Sequence, residues 1–589
     1  MVVIGISLVL VVLAGIAAGD DDKPCAARQM PGKSVVCVCN ETYCDEIHQD
    51  EPPCGTYFAY TSSEAGSRFK KRKGQFHSYY MRNENCSYTL VIDPSRKSQT
   101  IEGFGGAVTD SASIHWTNLS ARLQGHLINS YFSKKGIEYN MLRVPIGGCD
   151  FSTHEYAYNE LPWDDGELTN YTLAPEDFNY KIPMIKRIQE AATADIHLIA
   201  TVWSPPRWMK TNEKPSGFSE IKEEFMQTFA EYIVKFIREY KKLGISTWAV
   251  TTTNEPQNAF YPIVTMQDLG WTPQKMGQWI KKNLGPTIKN SSDIRDVKIL
   301  TVDDQRYTLP MWFNVMVAAD PSVLDWIDGI ALHWYGDMVA PAWMLQIATK
   351  NYPTKFIIGT EACEGGQLSQ KEKVSLGDWS RAQSYCHDIL EDLNYDLVGW
   401  MDWNLCLDKT GGPNWAGIFV DSPIIVFPEN NEFVKQPMFY AMGHFSKWIP
   451  RGSVRLAVEE QKGPEKSVEQ VAFLTPRNTV VVVLHNTSER EYRVTKSIEL
   501  PMFYAMGHFS KWIPRGSVRL GVEESKGPFE KSVEQVAFLT ARNTIVLVVH
   551  NTVQARKIRV QLGEQHTVIE LEKASITTIE FPADNPARC

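Results

Sequence analysis

Two glutamates end apolar runs. Glu255 lies in TTTNEPQ (residues 251–257) and Glu361 in IIGTEAC (residues 357–363), 106 positions apart. Two carboxyl groups about 5–5.5 Å apart can hydrolyse a glycoside with retention, one attacking the anomeric carbon and the other working as acid and then base. Asn254 sharpens the assignment of the second role. Its amide can hold a sugar 2-hydroxyl while the neighbouring Glu255 carboxyl protonates the leaving oxygen.

Carboxyls so far apart in sequence need a scaffold that brings strand ends together. Short apolar runs at 140–145, 196–203, 247–253, 298–302, 330–334, 356–360 and 397–403 alternate with helical patterns. A further run enters Gly103-Phe104-Gly105-Gly106, which makes eight units. Between two of them Ile221, Phe225, Phe229, Ile233, Phe236, Ile237 and Tyr240 recur at helical spacing up to Gly244. The spacing predicts an α/β fold, a closed parallel (β/α)8 barrel of the TIM type. Polar and aromatic residues follow the strands: Asp150, Trp203, Asn254, Asp303-Asp304, His333-Trp334-Tyr335, Asp402-Trp403-Asn404. That edge of a barrel carries its active site. Residues 55–100 and 451–589, with runs such as 480–484, 545–549 and 575–579, predict an accessory β-sandwich built from both chain ends, leaving 101–450 as the barrel.

The 589 residues carry 60 basic and 69 acidic side chains, a net charge of −9 that argues against a nucleic-acid partner. Residues 1–19 hold no charge and end in Ala-Ala-Gly, as a signal peptide does. Sequons at Asn40, Asn85, Asn118, Asn170, Asn290 and Asn486 point the same way, to the secretory pathway. Cys25, Cys37, Cys39 and Cys44 crowd a segment (20–54) with little core of its own, and two disulfides in any of three pairings, or a zinc site, would hold it. Cys149 and Cys363 read as buried thiols. No other metal-ligand cluster and no cofactor motif is evident. The basic run 68–73 reads as a solvated loop. Residues 260–264 and 424–427 hold apolar side chains that either meet a lipid or pack inside.

The chain also repeats itself. PMFYAMGHFSKWIPRGSVRL at 437–456 returns unchanged at 501–520, and the likeness runs through 437–487 and 501–552. Met438, Phe439, Met442 and Phe445 of the first copy predict the closing barrel helix. Met502, Phe503, Met506 and Phe509 of the second then lack a barrel groove, while its later strands would complete the sandwich begun by the first.

Ordered matches across nearly the whole mature chain resemble glycoside hydrolase family 30, on its lysosomal glucosylceramidase branch. Their carriers are SVVCVCNETYC (34–44), GFGGAVTD (103–110), WSPPRWMKTN (203–212), WAVTTTNEP (248–256), LTVDDQR (300–306), HWYGD (333–337), TEAC (360–363), GWMDWNL (399–405) and GGPNW (411–415). The resemblance implies a retaining β-glucosidase with Glu255 as acid/base and Glu361 as nucleophile. It implies that Asp150, Trp203, Asn254 and Trp403 line a glucose pocket, with Tyr335, Arg143 and His333 around the carboxylates. It further implies the pairs Cys25–Cys37 and Cys39–Cys44, no cofactor and no metal, a glycolipid substrate at a membrane surface with a saposin-type activator, and a lysosomal destination. Gly417-Ile418 depart from a polar pair usual in the family, and the duplicated block has no family counterpart.

Overall fold

A computed structural model describes residues 23–53, 56–75, 88–261, 264–367, 370–462, 468–488, 494–498, 513, 517–520, 533–539, 544–551, 556–562, 565–571 and 575–582. The leader 1–19, Cys54, Cys86, Cys589, sequon Asn85 and the second copy's helical stripe at 501–512 lie outside the described residues. The chain divides into two compact units, the second made mainly of 495–589.

Eight parallel strands make the barrel: β1 (Gly103–Ala107), β2 (Met141–Ile146), β3 (His197–Val202), β4 (Thr247–Thr251), β5 (Lys298–Gln305), β6 (Gly329–His333), β7 (Phe356–Glu361) and β8 (Gly399–Asn404). They pair in chain order from β1 to β7, and β8 pairs back onto β1. Beside β7 and β8 the ring is joined by Val398 N–H to the Ile357 carbonyl at 2.9 Å and Trp403 N–H to the Ala362 carbonyl at 2.8 Å. Met141, Ile199, Ala249, Leu300, Ala331, Ile358 and Met401 fill the interior as one buried cluster. Gly105 is glycine because a Cβ there would sit 2.1 Å from the Met141 carbonyl oxygen.

The helix Met226–Lys242 buries Phe229, Ile233, Phe236, Ile237 and Tyr240, and Gly244 ends it in the left-handed region at φ 73°. Its start corrects the expectation. Ile221 pairs with Lys210 in a β-bridge, and Phe225 closes a 3-10 turn with its ring edge-on to Trp208 at 4.9 Å. Both are apolar because they pack, not because they are helical.

Strands Ala27–Gln29, Val35–Asn40, Glu432–Lys435, Ile424–Phe427 and Leu407–Asp408 form a second sheet. Cys25–Cys37 and Cys39–Cys44 are disulfides, so these sulfurs are not free to bind zinc. Cys149 and Cys363 are free and buried. Ile424, Ile425 and Val426 are buried in this sheet, whereas Tyr261 is exposed. The basic run is no loop: Lys70–Gln75 pairs with Thr56–Thr61 as a hairpin, while Arg68 turns inward to the Ser63 and Val35 carbonyls. Sequons Asn40, Asn118, Asn170, Asn290 and Asn486 are all exposed.

The first-copy helix Pro437–Ser446 buries Met438, Phe439, Met442 and Phe445, with Phe439 edge-on to Tyr131 at 5.3 Å. Its strands Val454–Lys462, Val468–Leu474 and Val480–Asn486 run as an antiparallel meander with residues 95–100 beside the first. The second copy does not extend that meander. Val518–Leu520, Val533–Leu539, Thr544–Asn551 and Ser575–Pro582 form their own four-stranded sheet. Neighbours in sequence pair first, and each copy carries a complete set of partners.

Candidate active site

Asn254 and Glu255 leave β4 in a turn fixed by neighbouring strands. Asn254 N–H donates to the Val202 carbonyl at 2.9 Å and Glu255 N–H to the Asp303 carbonyl at 3.0 Å. Glu255 is left-handed at φ 39°, as are Val302 at 76° and Asp303 at 50°, where a bulge interrupts β5. Non-glycine residues in that region cost about 1–3 kcal/mol each and cluster where geometry is functional. The bulge sets the Asp303 carboxylate among Arg143 on β2, His333 on β6 and Thr360 on β7.

Arg143 is fully buried, and donates to Glu361, to Asn254 Oδ1 at 2.8 Å and to Asp303 at 2.9 Å. Glu361, ending β7, also accepts from the Tyr335 hydroxyl at 2.9 Å. Glu255 is held differently, by His333 Nδ1 at 2.9 Å, the Gln305 amide at 2.8 Å and the Asn258 amide. One oxygen of Glu255, one ring nitrogen of His333 and one oxygen of Glu361 lie within 4.8 Å of one another. Both glutamates are more than nine-tenths buried.

Burial pushes the Glu361 carboxyl above its ordinary range, with nearby Glu255 adding to this and the His333 and Arg143 cations opposing it. Burial also opposes charge on His333, but Glu361, Asp303 and Glu255 more than offset it and raise the ring to about 10. Asp303 goes the other way, because Arg143 and His333 overcome its burial and hold it well below the usual carboxylate range. These carboxylates favour the imidazolium, whose two ring nitrogens then donate to Glu255 and Asp303.

Trp203 and Trp403 stack at 5.3 Å, and the Arg143 guanidinium carbon lies 4.8 and 5.3 Å from their rings. Asp150, after β2, accepts from the Asn414 amide at 3.1 Å, and its carboxyl rises to about 8 through burial and the Glu361 charge. All nine residues expected from the sequence gather at the C-terminal end of the barrel. Asn258, Gln305, Asp303 and Asn414 complete the network. Asp303 carries the strand-end signal, whereas Gln305 in LTVDDQR and Asn414 in GGPNW carry no local signal that separates them from loop polars. Asn258 is marked only by its position three residues after Glu255.

Two other acidic or sulfur groupings occur among the described residues. Cys39 and Cys44 beside Asp45 are spent in their disulfide, and Asp337, Asp388 and Asp392 surround the Arg306 guanidinium.

The glycosyl hydrolase family 30 TIM-barrel domain matches residues 101–449, and the family's β-sandwich domain matches 452–500 and 516–579. The lysosomal acid glucosylceramidase of Mus musculus is 41% identical over 481 residues, covering 81% of this chain and 92% of the mouse protein. An endo-1,6-β-D-glucanase of Neurospora crassa is 26% identical over 434 residues, 70% and 84% of the two chains. The crystal structure of SrfJ from Salmonella typhimurium shares the fold with a TM-score of 0.65 at 22% identity, covering 90% of this chain and 99% of its own. With two domain models in register and these carboxylates at the barrel mouth, the chain is a glycosidase and belongs to glycoside hydrolase family 30.

Proposed function

We propose that the chain is a retaining β-glucosidase that cleaves glucosylceramide to glucose and ceramide. The observation that carries the mechanism is the approach of one oxygen of each buried carboxylate to within 4.8 Å of the other, which suits the roughly 5–5.5 Å spacing of retention better than the roughly 6.5–9.5 Å that inversion uses to admit its water. Glu361, facing the Arg143 and His333 cations and the Tyr335 hydroxyl, attacks the anomeric carbon as the nucleophile. Glu255 gives its proton to the leaving oxygen, then takes one from the water that releases glucose. Asn254, Asp150, Trp203 and Trp403 hold the sugar. His333 positions Glu255 against Asp303.

The lipid substrate and the lysosomal destination rest on the 41% identity to the mouse lysosomal acid glucosylceramidase, whereas the membrane surface and the saposin-type activator rest on the family resemblance of the sequence alone. A glucanase reading draws on the lower likeness to the Neurospora protein. Glucose release from glucosylceramide in anionic vesicles and from a β-1,6-glucan, compared at acidic pH, decides between them. Turnover of the lipid alone supports the proposal, and turnover of the glucan alone removes its substrate. A rate flat from acid to about pH 9 would contradict a glutamic acid as proton donor.

A further inference from the structure

Residues 437–456 and 501–520 are identical, and 468–486 closely match 533–551. The side chains that fasten the first block into its unit therefore recur in the second. Tyr440 donates to Asp45 at 2.7 Å, Ser446 to the Ile137 carbonyl at 2.7 Å, and Lys447 pairs with Glu138. Arg451 donates to the carbonyls of Glu102, Asn140 and Asp195. At the matching places of the second block stand Tyr504, Ser510, Lys511 and Arg515. Farther on, Arg455 meets Asp396 and Glu469 meets His387, with Arg519 and Glu534 as their counterparts. The blocks also pair their backbones alike. Val454 opposes Leu474 and Val468 opposes Asn486 in the first, while Val518 opposes Leu539 and Val533 opposes Asn551 in the second.

We propose that the groove filled by Pro437–Ser446 is a docking surface with two matched occupants on one chain. Residues 501–551 can take the place of 437–486, with 437–500 then carried as a loop. Nothing in the groove distinguishes the two identical sequences, so their connections and their other partners decide. The first block follows Glu432–Lys435 directly, whereas the second must close a loop of 64 residues. Loop closure scaling as the three-halves power of length disfavours the exchanged form by a factor on the order of several hundred, and the pairing of 544–551 with 575–582 disfavours it further. Disabling the first occupant hands the groove to residues 501–510. A single-copy chain has no such reserve.

Phe439→Asp, which places a carboxylate in the apolar groove, and the matching Phe503→Asp test this in the full chain. Each single variant should hydrolyse an aryl β-glucoside within about threefold of the parent, and the double variant should lose more than about tenfold because neither helix then fits. Carbodiimide coupling of Glu138 to the lysine beside it reads the occupant directly. The coupled peptide should carry Lys447 in the parent and Lys511 in Phe439→Asp, distinguished by Gln436 or Leu500 before the shared sequence. Deleting 437–500, which joins Gln436 to Pro501, should leave a folded, active enzyme. The proposal is overturned if Phe439→Asp loses as much as the double variant, if Phe503→Asp alone loses activity, or if the double variant stays active. It is equally overturned if Glu138 still couples to Lys447 in Phe439→Asp, or if the deletion fails to fold.

Discussion

The two sides of the barrel mouth hold their carboxylates by opposite means. On the β7 side Glu361 meets a guanidinium and a phenol, with the His333 cation behind. On the β4 side Glu255 meets one imidazolium and two neutral amides. The Arg143 and His333 cations offset part of the burial that raises Glu361 and so favour the anion that attacks, whereas Glu255 has no guanidinium beside it among the described residues and shares its imidazolium with Asp303. Two glutamates of equal intrinsic acidity can thus divide the labour through their surroundings. His333 joins the two sides, since Asp303 anchors both it and Arg143.

The largest expected effect separates the two sides by chemistry. Glu361→Gln should cost about four or more powers of ten in kcat on every substrate, since no nucleophile remains. Glu255→Ala should cost about 10²–10⁴-fold on glucosylceramide and much less on an aryl glucoside whose leaving group needs no proton. Equal losses on both substrates would erase the distinction.

Next comes the charge that both sides share. Arg143→Met leaves buried Asp303 with His333 as its one neighbouring cation, and should lower stability by about 3–5 kcal/mol in a denaturant titration. A shift under about 1 kcal/mol would mean that the network is dispensable.

The pH dependence sharpens the comparison in a gentler way. Burial raises Asp150 and Asp402 each to about 8 and, with the Glu255 charge, Asp304 to about 7. These folded-state carboxyls keep protons that the unfolded chain releases near pH 4, so folding takes up protons between about pH 4 and 8 and stability falls as pH rises through that window. His333, held protonated to about 10, adds to the same trend, because the unfolded ring releases its proton near pH 6.5 and stability then falls progressively until pH passes about 10. The melting temperature should be higher at pH 5 than at pH 8, and Asp150→Asn should flatten the slope. A melting temperature rising from pH 5 to 8 would contradict the raised carboxyls.

The smallest effect is that of one donor. Tyr335→Phe removes a single hydrogen bond to Glu361 and should lower kcat/KM about three- to tenfold, the equivalent of about 0.5–1.5 kcal/mol. No change would mean that Arg143 alone orients the nucleophile.

Much of this arrangement was legible before any coordinates. Strand alternation and strand-end polars placed Glu255, Glu361, His333 and Trp403 on one edge, because apolar runs that bury on both faces have few other destinations. The left-handed backbone at Val302, Asp303 and Glu255 was not legible, since an apolar run carries no mark of a bulge and tertiary hydrogen bonds alone hold it. Ile221 and Phe225 misled for a related reason: helical spacing is satisfied equally by a bridge and a tight turn that pack on the same face. The two copies show the boundary most clearly. Val454 and Leu456 share identity and register with Val518 and Leu520, yet Leu456 is buried where Leu520 is half-buried, and Val454 is half-buried where Val518 is exposed. Local sequence sets pairing, and tertiary neighbours set burial.

The division of labour between the glutamates is tested most directly by trapping the covalent intermediate. The enzyme is incubated with an activated 2-deoxy-2-fluoro-β-glucoside, digested and sequenced by mass spectrometry. The account predicts one added fluoroglucosyl group, carried on the Glu361 carboxylate. A label on Glu255 or any other carboxylate, or turnover to α-glucose with no label at all, would contradict it.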